Sequence, residues 1–76
     1  MVTMKRDGAV RIEVRGDHPP AHFHILSANT DVMIDLYTFD VIRGQGSRKE
    51  IEAGIEWAKA NHDAMLAKWR EINGRG

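Results

Sequence analysis

Ala9-Val10-Arg11-Ile12-Glu13-Val14-Arg15 alternates without a fault, with Val10, Ile12 and Val14 on one side and Arg11, Glu13 and Arg15 on the other. A period of two over this length is that of a half-buried strand. Gly16-Asp17 then turns the chain. Pro19-Pro20 hold the next stretch in polyproline-like geometry, because a proline keeps its predecessor out of the helical region. A second strand is read from Ala21 to Ser27, with Phe23 and Ile25 toward the core and His22, His24 and Leu26 opposite. Asn29 and Asp31 flank a hairpin turn. A third strand, Val32 to Leu36, points Val32, Ile34 and Leu36 inward and Asp31, Met33 and Asp35 outward, and a fourth, Phe39 to Arg43, follows Tyr37-Thr38. Strands joined this closely read as an antiparallel meander.

Gly44-Gln45-Gly46 ends the alternation, and Ser47 with Glu50 three residues later carries the signature of a capping box, in which each side chain satisfies the other residue's amide. The apolar positions then step by three and four through Ile51, Ile55, Ala58, His62, Met65 or Leu66, Trp69 and Ile72, ending near Gly74. That stripe is a helix turned toward the sheet. Unbroken, it would be about 40 Å long at about 1.5 Å per residue, more than a small sheet covers, so Asn61-His62-Asp63 is read as a bend or short break. The fold expected is α+β, a small antiparallel sheet of three or four strands packed on one C-terminal helix (ββββα order), as a single domain over residues 1–76.

The chemistry-bearing stretch is Asp17-His18-Pro19-Pro20-Ala21-His22-Phe23-His24, which holds three of the four histidines. His22 and His24 share a strand face, since residues i and i+2 do. By the same alternation Glu13, Asp31, Asp35 and Asp40 lie on that non-core face. Two imidazoles and a carboxylate can hold a divalent transition metal such as zinc, iron or nickel; His22, His24 and Asp35 are the candidate ligands. A metal-free alternative makes His22, His24 and His18 an acid–base set on a ribose hydroxyl and its leaving oxygen, with Arg11 and Arg15 holding the phosphate. The bland alternative has the histidines as half-exposed side chains hydrogen-bonded to neighbouring carboxylates. Spacing alone leaves these open.

His62 falls on the apolar stripe. A kink at Asn61-His62-Asp63 would let it meet the His18 loop, as a structural tether or a third ligand, and the tether is favoured because alternation sends His22 and His24 away from the helix. Trp69 reads as core. Trp57 lies at the margin of the stripe and either closes the core or docks a partner protein.

The histidine run, followed by Glu56-Trp57-Ala58, His62 and Trp69, resembles the bacterial domain of unknown function family 4160, over most of the chain. That family's pattern has an Asp-His-Pro-Pro-Pro-His-Phe-His core, where Ala21 replaces the third proline, and an apolar strand opening that Met1-Val2-Thr3-Met4 lacks. The resemblance implies a toxin-like member of a toxin–antitoxin pair with a cognate small partner protein, acting on RNA or another phosphate-containing target. The alternative is a non-catalytic adaptor, in which Trp57 and the open sheet face dock a partner or a second copy as a homodimer. The residues alone fit an enzyme and a binding module alike.

Composition narrows the classes. A chain of 76 residues buries only about 60% of its unfolded surface, so it has one thin core. Hydrophobic residues at 42% and charged residues at 29% fit a globular chain and exclude a disordered one. No run approaches the roughly 20 apolar residues of a membrane span, and Met1 to Asp7 carries no secretory h-region, so cytoplasmic residence with no membrane contact is expected. With no cysteine, thiolate metal sites and disulfides are excluded. Eleven basic residues balance eleven acidic ones, so an RNA-binding role would have to rest on a local patch.

Overall fold

The computed structural model describes residues 2–74. Of the domain expected over residues 1–76, residues 1, 75 and 76 lie outside the described residues. The chain runs through β1 (Val2–Asp7), β2 (Val10–Val14), β3 (His22–Leu26), β4 (Asp31–Asp35), β5 (Val41–Gln45), α1 (Arg48–Ala60) and α2 (His62–Asn73). The strands form one antiparallel sheet in sequence order, so the α+β meander is as read, with one strand more and the helix divided.

The added strand is β1. Its apolar residues are few, and its register against β2 shifts between Thr3 and Lys5, which interrupts the period-two signal that identified β2. The opening Val2–Asp7 is therefore a strand after all. It pairs with Val10–Val14 across a turn in which Gly8 takes a positive φ.

The fourth strand of the sequence reading also starts later than expected. Phe39 adopts a left-handed φ of 63°, a conformation no strand residue holds. Its amide donates to the Asp35 carbonyl, while the Asp35 amide donates to the Asp40 carbonyl. The resulting turn leaves Phe39 facing the core, ring centroid 6.4 Å from Phe23 and 5.5 Å from His62.

The alternation sorts the sheet faces as expected. Ile12, Val14, Phe23, Ile25, Val32, Ile34 and Leu36 are buried, and Ala58, Met65 and Trp69 cover them from the helices. Gly54 lets α1 approach β3 closely, because a Cβ there would fall 2.5 Å from Cδ1 of Ile25. The helix divides at Asn61 (φ −121°, ψ 30°), whose amide and side chain both donate to the Trp57 carbonyl.

The cap at the start of α1 is only half the expected box. Ser47 accepts from the Glu50 amide. Glu50, rather than reaching back to Ser47, accepts from the hydroxyls of Ser27 and Thr30 at 2.7 and 2.5 Å, and Thr30 Oγ1 accepts from the Ser47 amide. The helix start is thereby fastened to the β3–β4 turn.

Candidate functional site

The face opposite the helices carries Arg11, Glu13, His22, His24, Met33, Asp35 and Arg43, as the cross-strand pairs Glu13↔His24, His22↔Asp35, His24↔Met33 and Met33↔Arg43 require. This face is not simply open. Glu13, His22 and His24 keep only 2%, 3% and 5% of their surface exposed. Burying polar groups so thoroughly is costly unless each finds a partner, and each does.

Glu13 takes Nε of Arg11 at 3.0 Å and Nη2 of Arg15 at 3.2 Å. Burial pushes its carboxyl up, but hydrogen bonds and charge from the two arginines outweigh that and hold it below the usual range. Arg11 and Arg15, read as phosphate-binding, thus spend their inner donors on Glu13. The cation of this face with no ion-pair partner among the described residues is Arg43.

The two histidines converge on Asp17. Nε2 of His22 lies 3.2 Å and Nε2 of His24 lies 3.4 Å from the same oxygen, Oδ2 of Asp17. The rings are 5.1 Å apart, edge to face. The other nitrogen of His22, Nδ1, donates to the Pro20 carbonyl at 2.7 Å. Hydrogen bonding from His22 and then His24 holds the Asp17 carboxyl below its ordinary value. Burial first, and then the Arg15 charge, hold the His24 pKa down.

The carboxylate brought to the histidines is Asp17, where the sequence reading placed Asp35. Asp35 Oδ1 accepts from the amides of Tyr37 and Thr38 and caps the β4–β5 turn. In the sequence Asp17 reads as half of a turn, although it opens the histidine run. No sequence signal linked it to β3, because the link depends on how the loop folds back. That path includes a cis peptide at Pro19–Pro20 in place of a continuous polyproline-like segment.

Two helix residues secure the loop and the ring. Asn73 Oδ1 accepts from the Asp17 amide at 2.9 Å, and its Nδ2 donates to the carbonyls of Arg15 and Trp69. The Trp69 indole lies 5.0 Å from the His22 ring, so His22 is not sent away from the helices as alternation alone implied. The β2–β3 pairing stops at Glu13↔His24, and beyond it the sheet no longer separates Trp69 from His22.

His18 is exposed on the loop and lines a shallow depression with Asp17, Pro20, His22, Met33 and Arg43. A second, wider depression carries Arg15, Asp17, His24, Met33 and Arg43. Asp17, Met33 and Arg43 line both, so the cluster sits where they meet. His62 does not reach the His18 loop; its Nε2 is 2.6 Å from the Leu36 carbonyl, and its ring packs against Phe39. That contact is the tether reading with a different partner. Trp57 is half-buried against the core, with Lys5 Nζ 5.9 Å from its ring centroid.

Fold and cluster together define a small α+β protein with an aspartate–bis-histidine cluster on a five-stranded meander. The family model described as Domain of unknown function (DUF4160) matches residues 10–70, well over half the chain, and the protein belongs to that family. No curated protein and no solved structure is similar enough to match it. No helix among the described residues is long and apolar enough to cross a membrane.

Proposed function

We propose that this chain acts on a phosphate-bearing target, RNA foremost, through the Asp17–His22–His24 cluster, as the toxin-like member of a two-protein system. The observation that carries the reading is two buried imidazoles on one carboxylate oxygen, beside a depression whose cations are Arg15 and Arg43. A phosphate seated there would find a guanidinium for its oxygens. The cluster would take up the proton of the attacking oxygen as the new bond to phosphorus forms, while the leaving oxygen departs with a proton from water. Burial and the Arg15 charge favour the neutral form of His24, the form from which a general base starts, while the ionised Asp17 would stabilise the imidazolium that forms.

The test is incubation of purified protein with RNA, beside folded His24→Ala and Arg43→Ala variants. Cleavage that disappears with His24→Ala, and needs more RNA for half-saturation with Arg43→Ala, is expected. Intact RNA after long incubation with folded wild-type protein would count against it.

A second reading, the adaptor, draws on a separate observation. The edge strand β5 pairs only with β4, and Val41 and Ile42 on it, with Tyr37 before it, are 49%, 42% and 61% exposed. An exposed edge of this kind accepts a strand from another chain. In that reading the docking surface is this edge rather than Trp57. A complex that protects the β5 amides from hydrogen exchange, in a protein without nuclease activity, would favour it.

A further inference from the structure

We infer that Asp17, His22 and His24 form a binding site for one zinc-class divalent cation. The proposal concerns the site described above, but it is decided by binding, not by turnover.

Pro20 fixes which nitrogen of His22 carries a hydrogen. A carbonyl oxygen can only accept, so the 2.7 Å contact requires the hydrogen of His22 on Nδ1. In the neutral ring that leaves a bare lone pair on Nε2, aimed at Asp17 Oδ2 from 3.2 Å. The cation these two groups share is either a proton on Nε2, which gives the imidazolium–carboxylate pair, or a metal ion in that proton's place. A histidine that binds metal through one nitrogen ordinarily donates the other N–H to a carbonyl or carboxylate, which is the arrangement His22 already has.

Spacing supports the same assignment. An ion with tetrahedral bonds of about 2.0–2.1 Å holds adjacent donors about 3.3–3.4 Å apart. The two nitrogen–oxygen separations, 3.2 and 3.4 Å, match that spacing; the three donor atoms cluster within 4.8 Å of one another, and the two imidazole nitrogens close toward each other as an ion binds. Two nitrogens and one oxygen suit a zinc-class ion, and the absence of sulfur donors disfavours softer ones. Three protein ligands leave a position free, and Asp17, with its side chain 38% exposed at the junction of the two depressions, marks the side from which water or a phosphate oxygen reaches it. A bound ion would lower the pKa of such a water toward about 7.

The surroundings are prepared for ligand duty. Trp69 backs the His22 ring, and Asn73 holds the Asp17 amide, so little ordering remains to be done on binding.

The experiment is titration of the tag-free full chain with Zn2+ by calorimetry and with Co2+ by visible absorption, beside Asp17→Asn and His24→Ala variants shown to be folded by circular dichroism. One ion per chain is expected, with four-coordinate cobalt absorption. Each variant should bind at least the 10–100-fold more weakly that loss of a supporting partner alone costs. Should a variant fail to fold, nitrogen-15 ring spectra of the wild type decide: Zn2+ should move Nε2 of His22 and His24 while Nδ1 of His22 stays protonated. No binding by the folded wild type, equal binding by the folded variants, or unmoved Nε2 resonances would overturn the site. Binding without RNA cleavage sinks only the function proposed above; cleavage that survives complete chelation sinks only the metal.

Discussion

The indole of Trp69 lies 5.0 Å from the imidazole of His22, centroid to centroid, and so joins the hydrophobic core to the polar cluster on the far face of the sheet. Four residues on, Asn73 bonds both the Trp69 carbonyl and the loop that delivers Asp17. The last turns of α2 therefore build the site while touching none of its chemistry. Changes there should appear in the site before they appear in the fold.

Asn73→Ala is the sharpest case. It removes the acceptor of the Asp17 amide and the donor to the Arg15 carbonyl, at a cost of about 1–2 kcal/mol. Ion affinity should fall about 10-fold, the scale seen when a supporting partner is lost. Calorimetric titration alongside urea unfolding separates the two effects; unchanged affinity would mean that Asp17 positions itself.

His62→Ala tests the division of labour between histidines. The lost hydrogen bond to the Leu36 carbonyl should cost about 1–2 kcal/mol, or roughly 4–16 °C in Tm for a domain of this size. Ion affinity should stay as in the wild type. A His62→Ala variant that kept its Tm but lost the ion would make His62 part of the site.

Gly54→Ala should destabilise the protein, although alanine is the better helix former by about 1 kcal/mol. The new Cβ would fall 2.5 and 2.9 Å from two carbons of Ile25, and overpacking a core costs about 1–3 kcal/mol. A lower urea midpoint at unchanged slope is expected. A higher midpoint would show that Ile25 repacks without loss.

Glu13→Gln tests the arginine–glutamate row by its pH dependence. Glu13 titrates below the glutamate value of 4.5 because Arg11 and Arg15 outweigh its burial. A carboxyl with a lowered folded pKa stabilises the protein above its unfolded pKa, and that contribution is lost as pH falls through the folded value. The variant should therefore be less stable than the wild type at pH 7, by about 1–3 kcal/mol. The gap should narrow below pH 4.5 and close in stronger acid. Unfolding curves of both proteins across that window check it, and a gap independent of pH would mean that shape, not charge, is what Glu13 supplies.

What was legible in the sequence followed from local period. The alternation around Val10, Ile12 and Val14 and the three–four spacing from Ile51 to Ile72 placed β2, the core and the helical stripe, and the polar Asn61-His62-Asp63 marked the break. What escaped depended on contacts distant in sequence or on single dihedrals. The register shift after Thr3 hid β1, and the left-handed Phe39 shortened β5. Of the site, His22 and His24 were legible because strand geometry alone puts them on one face. Asp17 was not, because its approach is set by a loop held by Asn73, 56 residues away.

The most direct measurement is an anomalous-difference map from crystals grown with Zn2+, recorded on both sides of the zinc absorption edge. One peak is expected, about 2.0–2.1 Å from Nε2 of His22, Nε2 of His24 and the Asp17 carboxylate, with Nδ1 of His22 still on the Pro20 carbonyl. An ordered cluster with Asp17 directly on both imidazoles and no peak between them would contradict it.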